Sequence, residues 1–132
     1  MGFSISIRPR VSDTDMLGHI NNVAVVAWLE EGRTYLMRQF LDPQRPTPAF
    51  VVARLEIDYK AELHFGHEIT VDTTVERFGE RSMTVLQEIL QDGKICTIAR
   101  VVLVHFDREL KRSTWIPDAL RELLAPYRRE PD

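Results

Sequence analysis

The run Asn21-Asn22-Val23-Ala24-Val25-Val26-Ala27-Trp28-Leu29-Glu30-Glu31-Gly32-Arg33 decides how this chain folds. From Val23 to Leu29 it is apolar on every side, and beyond that it turns amphipathic through Tyr35, Leu36, Phe40 and Leu41. The β-branched Val23, Val25 and Val26 also suit a strand. Against that, Glu30, Glu31, Arg33 and Arg38 continue a helical surface, so the spacing predicts a helix starting at Val23 and capped by Asn21 or Asn22. A helix with no polar face in its first two turns must be wrapped by other elements. Asp42-Pro43, Pro46 and Pro48 end it in a short loop.

Strand patterns flank the helix. Phe3, Ile5 and Ile7 share one face, with Ser4, Ser6 and Arg8 opposite, so a half-buried strand ends near Pro9. Everything from Phe50 to Phe106 reads as further strands. Val51, Ala53, Leu55, Ile57 and Tyr59 form the dry face of a long one. Ile69, Val71, Thr73 and Val75 repeat the alternation, and Phe78-Gly79-Glu80-Arg81 turns into a strand from Met83 to Leu90. Gln91-Asp92-Gly93-Lys94 is a hairpin turn of the Asp-Gly type. The last strand, Ile95 to Phe106, has a mixed run that implies cover on both faces. Trp115-Ile116-Pro117-Asp118 leads into a short helix over Ala119 to Ala125, and the polar end from Arg128 to Asp132 is expected to fray.

The order is β-α-β-β-β-β with a short C-terminal helix. One helix must satisfy a whole antiparallel sheet of about five strands, which suggests an α+β domain whose sheet curls around it. With 132 residues the chain forms one domain, 1–132. Free edge strands and an exposed outer sheet face make pairing with a second copy a natural remedy.

Composition narrows the role. Hydrophobic residues at 44% and charged residues at 28% describe a folded chain and not a disordered one. A net charge of -3 gives no overall attraction for polyphosphate, so no nucleic-acid or anionic-membrane partner is expected. No window approaches the ~20 apolar residues of a membrane span, and the alternating amino terminus is no signal core. Cys96, alone and inside an apolar run, has no intrachain disulfide partner. A cytoplasmic setting is expected.

The chemistry-bearing segment is Ser12-Asp13-Thr14-Asp15-Met16-Leu17-Gly18-His19-Ile20-Asn21-Asn22, between the first strand and the helix. It sets two carboxylates, an imidazole and two carboxamides beside a helix amino terminus. The free N–H groups and dipole there suit a carbonyl oxygen that gains negative charge. Read alone, the same residues equally describe a loop closing onto a helix, since Asp and Asn are default turn and cap formers. Other chemistries find less. There is no Gly-x-Ser-x-Gly elbow, His64 and His67 lack a third ligand at recognised spacing, and the setting of Cys96 is too apolar for a nucleophile. No metal or cofactor is expected.

Taken with Trp28-Leu29-Glu30-Glu31-Gly32-Arg33, the Ser-Asp-Thr-Asp-x-x-Gly-His-x-Asn-Asn pattern resembles the signature of hotdog-fold acyl-CoA thioesterases of the 4-hydroxybenzoyl-CoA thioesterase type and of relatives acting on fatty acyl-CoA. The likeness continues through residues 51–59, 66–71, Arg81-Ser82, 101–107 and Ile116-Pro117-Asp118, covering roughly residues 5 to 125. It implies hydrolysis of an acyl-CoA thioester to free acid and CoA thiol by a homodimer or homotetramer.

By the same resemblance Asp15 is the nucleophile or general base, and the backbone N–H of Asn22 polarises the thioester carbonyl. Some relatives carry His or Tyr at the Asn22 position. His19 either orders the loop or touches substrate, while Asp13 is a turn-former. Tyr59, Arg77, Arg81 and Ser82 are the expected substrate-binding positions, with Arg81 first and Arg77 second as phosphate ligands. Two departures stand out: Val25 replaces a frequent aromatic, and the turn before Ser82 has fewer basic residues than relatives often carry. The alternatives are a non-catalytic acyl-thioester-binding hotdog module and an acyl carrier protein thioesterase. The Asp and His pair usual in hotdog dehydratases after the start of the helix is not found.

Overall fold

The computed structural model describes residues 2–129. Strand β1 (Phe3–Ile7) leads through a single 3-10 turn at Val11–Asp13 and the loop up to Asn21 into helix α1 (Asn22–Arg38). Four longer strands follow: β2 (Phe50–Tyr59), β3 (Ile69–Phe78), β4 (Ser82–Gln91) and β5 (Lys94–Asp107). A two-residue strand β6 (Arg112–Ser113) and helix α2 (Asp118–Leu124) complete the order. The sheet is antiparallel, with strand order β1-β3-β4-β5-β2 and β6 paired to the end of β5. This is the curled sheet and central helix of a hotdog domain.

The local reasons are those of the sequence. Asn21 caps α1, its side-chain oxygen accepting the Ala24 N–H at 2.8 Å. The β4–β5 hairpin turns on Asp92 and Gly93, both at positive φ (53° and 76°), the signature of a type I′ turn. Helix α1 packs on β3 and β1. Trp28 and Leu29 join Ile69, Val71 and Ile89 in one apolar cluster, and Leu36 joins Val75, Val85 and Val101 in another toward its C-terminal end. Gly32 permits that approach, because a Cβ there would lie 2.8 Å from Val71 Cγ1 and 3.0 Å from Gln87 Nε2. Buried Gln87 bridges helix and sheet, donating to Leu29 O at 2.9 Å and Thr73 Oγ1 at 3.0 Å while accepting from Arg33 Nη1 at 3.0 Å. Burial pulls the Arg33 pKa down against the opposing charge of Glu30.

Several expectations need correction. The sheet curls around helix α1 but leaves its outer side uncovered: Ala24, Val25, Trp28 and Leu29 are buried, while Val23 and Val26 are 75% and 38% exposed. Strand β2 has only a partial dry face, with Leu55 and Ile57 half-buried against the core, since it is an edge strand and the register slips between Val52 and Arg54, breaking the alternation. Val51, Val52 and Tyr59 are exposed. Strand β5 is fully covered on the Ala99, Val101 and Leu103 side and only half-covered at Ile98, Val102 and Val104. β6 and a closing 3-10 turn at Ala125–Tyr127 were not expected. Arg128 and Arg129 do not fray but run along β3, with the Arg129 N–H donating to Val75 O at 2.8 Å. The remainder of the expected frayed end, 130–132, lies outside the described residues.

Candidate active site

The loop between β1 and α1 is built in layers. At its base Asp13 is buried, and its carboxylate accepts the Arg10 backbone N–H (2.8 Å) and the Arg10 guanidinium (3.1 and 3.4 Å). Burial alone would raise this carboxyl's pKa, but the Arg10 hydrogen bonds and charge outweigh it and hold the pKa below its ordinary value. Asp13 is therefore the turn-former that its position suggested. Its carbonyl also accepts the Asn21 N–H at 2.8 Å, fastening the base of the loop to the helix cap.

Above this base, Thr14 and Ile20 pair as an antiparallel bridge, and Asp15 N donates to His19 O at 2.8 Å. Gly18 closes the tip at a φ of 82°, where a side chain would be strained. Asp15 Oδ1 accepts two backbone N–H groups, from Leu17 at 2.8 Å and His19 at 3.2 Å. Its Oδ2 has no partner among the described residues, and the residue is exposed. One oxygen thus fixes the carboxylate and leaves the other available.

The loop rests on a second segment, after β2. Ile20 N donates to Leu63 O at 2.9 Å, and His19 bridges to His64. The His19 ring lies edge-on to that of His64, with centroids 5.3 Å apart, and its Nε2 is 3.2 Å from Glu62 Oε2. His19 thus meets the supporting segment through both its backbone and its ring. Just beyond, α1 opens toward the loop, and neither the Asn22 nor the Val23 N–H has a partner among the described residues. Met16 and Leu17 on the loop and Val23 on the first turn of α1 are exposed apolar residues.

The remaining expected positions divide between the two ends of the sheet. Tyr59 is exposed opposite Thr97, at the end where β2 runs into the segment supporting the Asp15 loop. Arg77, Arg81 and Ser82 lie at the β3–β4 hairpin, the opposite end, with Ser82 opposite Val104 and Gln91 opposite Lys94. Nine strand steps of about 3.3 Å separate Ser82 from Gln91, roughly 30 Å. Within one chain the structure does not bring the arginine hairpin to Asp15.

The hairpin is itself well built. Arg81 lies 5.9 Å over the exposed Trp115 ring and 3.4 Å from Ser113 Oγ. Arg121 donates to Gly79 O (2.7 Å), Glu80 O (3.0 Å) and Ile116 O (3.2 Å), and both Arg121 and Arg128 stack on Phe78. Glu62, Gln91, Trp115 and Arg121 were not singled out from sequence. Each acts through a partner far along the chain, which no local pattern signals.

A cleft of about 750 Å³ between the loop after α1 and α2 contains none of the Asp15 loop. It is lined by Phe40, Pro46, Leu120, Leu123 and His105 among others. Among the described residues no group of three or more His, Cys, Asp or Glu is placed to hold a metal ion, and no helix is long and apolar enough to cross a membrane.

The fold and the loop define a hotdog domain with an exposed carboxylate, Asp15, in the loop that leads into its central helix. Residues 9–124 match the family described as the thioesterase-like superfamily, and the chain belongs to it as a thioester hydrolase. It is similar over its whole length to a predicted thioesterase from Bacillus stearothermophilus, with 38% identity, full coverage of both chains and a TM-score of 0.89. A thioesterase from Thermus thermophilus complexed with coenzyme A and Zn is 28% identical, with a TM-score of 0.80, over 92% of this chain and 95% of that one. The uncharacterized protein YsmA of Bacillus subtilis (strain 168) is 29% identical over 92% of this chain and 84% of its own length.

Proposed function

We propose that the protein hydrolyses an acyl-CoA thioester to the free acid and CoA thiol, with Asp15 as the catalytic carboxylate. The observation that carries this reading is the division of labour at Asp15, with Oδ1 held by two N–H groups and Oδ2 free and exposed. Held in this way, the carboxylate is oriented without being neutralised by a cation. Oδ2 either attacks the acyl carbon, giving an acyl anhydride that water then opens, or takes a proton from a water that attacks instead. Along both routes the carbonyl oxygen gains negative charge and is met by the Asn22 N–H. Losing such a donor typically costs about 3 to 4 kcal/mol of transition-state stabilisation. The CoA thiolate is a good leaving group, so the chemistry does not depend on a dedicated acid.

Coenzyme A as the carrier is supported by the similar Thermus thermophilus thioesterase complexed with it and by the basic hairpin of Arg77 and Arg81. That hairpin lies roughly 30 Å from the Asp15 end of its own sheet. A homodimer or homotetramer, in which the hairpin of one protomer meets the Asp15 loop of another, resolves the separation. It also covers Val23, Val26, Val51 and Val52, which one chain leaves exposed. Tyr59, exposed at the Asp15 end, is the proposed contact beside the acyl group.

The test is thiol release from a panel of aromatic, short-chain and medium-chain acyl-CoAs, with the matching acyl carrier protein thioesters alongside. Turnover on at least one acyl-CoA, lost in Asp15→Ala, is expected. Turnover confined to carrier-protein thioesters would replace the carrier, and no turnover on any thioester would make the protein a binding module.

A further inference from the structure

We propose that Gln91 is a positioning residue for Asp15, acting through the segment that supports the active-site loop. This rests on the reading of Asp15 as the catalytic carboxylate. Gln91 is the last residue of β4, only 5% exposed, yet its side chain leaves the sheet to hold a piece of chain without regular structure. Its Oε1 accepts the His64 N–H at 2.9 Å, and its Nε2 donates to His64 O at 2.8 Å and to His67 O at 3.1 Å. A primary amide is the neutral side chain that supplies an acceptor and two donors together, so it can fasten both edges of one residue without burying a charge. Gly66, at a φ of 101°, allows the chain to fold back so that His64 and His67 reach the same amide.

From there the connection to Asp15 is short. His64 pairs with His19, Leu63 O accepts the Ile20 N–H, and the His19 N–H donates to Asp15 Oδ1. Gln91 ties this stack of loops to the end of the central strand β4. The segment's ties from Lys60 and Ala61 to Cys96 O lie at its beginning, Leu63 packs into the first apolar cluster, and His67 Nδ1 lies 2.8 Å from Asp92 Oδ2 on the exposed turn, so it is the Gln91 amide that holds the backbone of His64 and His67. Without the amide, His64 drifts, His19 follows, and the Asp15 carboxylate loses its fixed direction. A displacement of about 1 Å at a catalytic group can cost on the order of 100-fold in rate.

The experiment compares wild type, Gln91→Met, Gln91→Glu, Asp15→Asn and Val101→Ala, all well below their unfolding temperatures. Gln91→Met conserves volume and removes all three hydrogen bonds, while Gln91→Glu keeps the acceptor and loses both donors. Val101→Ala weakens the second apolar cluster and leaves the loop alone. Both Gln91 variants should lose roughly 10- to 100-fold in kcat with KM within about twofold. Amide hydrogen exchange at Leu17 and His19 should be at least about tenfold faster in both, while Val101→Ala shows neither change. Wild-type kcat in the Gln91 variants, with Asp15→Asn inactive beside them, would overturn the positioning role and leave Asp15 standing. Asp15→Asn as fast as wild type would instead remove the Asp15 reading. If no thioester is turned over, the exchange measurement alone decides, and unchanged protection at Leu17 and His19 overturns the inference.

Discussion

The backbone N–H of His19 donates to Asp15 Oδ1 at 3.2 Å, four residues back across a loop closed by the pairing of Thr14 with Ile20. The carboxylate is thereby held by the backbone of its own loop, and on the proposed reading the shape of that loop bears on the chemistry. Gly18 is where the shape is most exposed to substitution. A Cβ there meets nothing within 4 Å, so only the positive φ of 82° penalises a side chain. Gly18→Ala should cost about 1 kcal/mol in urea unfolding and lower kcat together with it. Gly32→Ala, which drives a methyl toward Val71 and Gln87, should cost more, about 1 to 3 kcal/mol, with kcat per folded molecule retained.

The separation of Arg81 from Asp15 makes the assembly testable by complementation. Arg81→Ala should raise KM for acyl-CoA several-fold, with a smaller effect on an acyl-pantetheine thioester that lacks the nucleotide phosphates. Refolding Asp15→Ala together with Arg81→Ala should restore about a quarter of wild-type activity at low substrate. Half of the dimers are then mixed, and each mixed dimer holds one intact site. Activity no higher than the mean of the two variants measured alone would mean that both residues serve the same chain's site, and light scattering of a stable monomer would remove the oligomer altogether.

Acid sensitivity should appear in two windows. Burial pushes the His105 pKa below its ordinary 6.5, opposed by the Thr114 and Trp115 backbones and by Asp107, although its Nδ1 makes no well-formed hydrogen bond. The unfolded chain therefore takes up a proton before the native one, and stability declines as pH falls below about 6.5 toward the lower native value. Asp13, with a native pKa below 3.8, stabilises the fold above that pH, and its contribution is lost as pH falls from about 4 through the native value. His105→Phe should flatten the urea midpoint between pH 7 and 5, and Asp13→Asn should flatten only the lower window. A midpoint equally steep in all three proteins would contradict both assignments.

The sequence carried the elements further than their surroundings. Period-two runs locate β1 and β3, and flanking turns locate β4, to within two residues, and Asn21 marks the helix start because capping is a local interaction. The covering of α1 and β2 is only partly what the apolar residues suggest, since they report that something should lie on them and not whether it belongs to the same chain. Val23 and Val51 are exposed for that reason. A bulge beside Ala53 is likewise silent in an alternating pattern. At the site, the hydrogen bonds that hold Asp13 and Asp15 come from within a few residues, so their conformations were within reach of a local reading. Gln91 reads as part of a turn, and its amide acquires a role only when the chain returns His64 to it from 27 positions away. Arg81 is a candidate the sequence offers, but its distance from Asp15 is not legible there, because it depends on the order β1-β3-β4-β5-β2.

The most direct measurement is the kcat of Asp15→Asn against wild type on a single acyl-CoA that wild type turns over. Asparagine keeps an oxygen for the Leu17 and His19 N–H groups and removes the negative charge, so the loop stays in place while the reactive oxygen is lost. The account predicts a fall in kcat of roughly 100- to 10,000-fold, with KM and the unfolding temperature nearly unchanged. An Asp15→Asn protein that releases thiol as fast as wild type would contradict it.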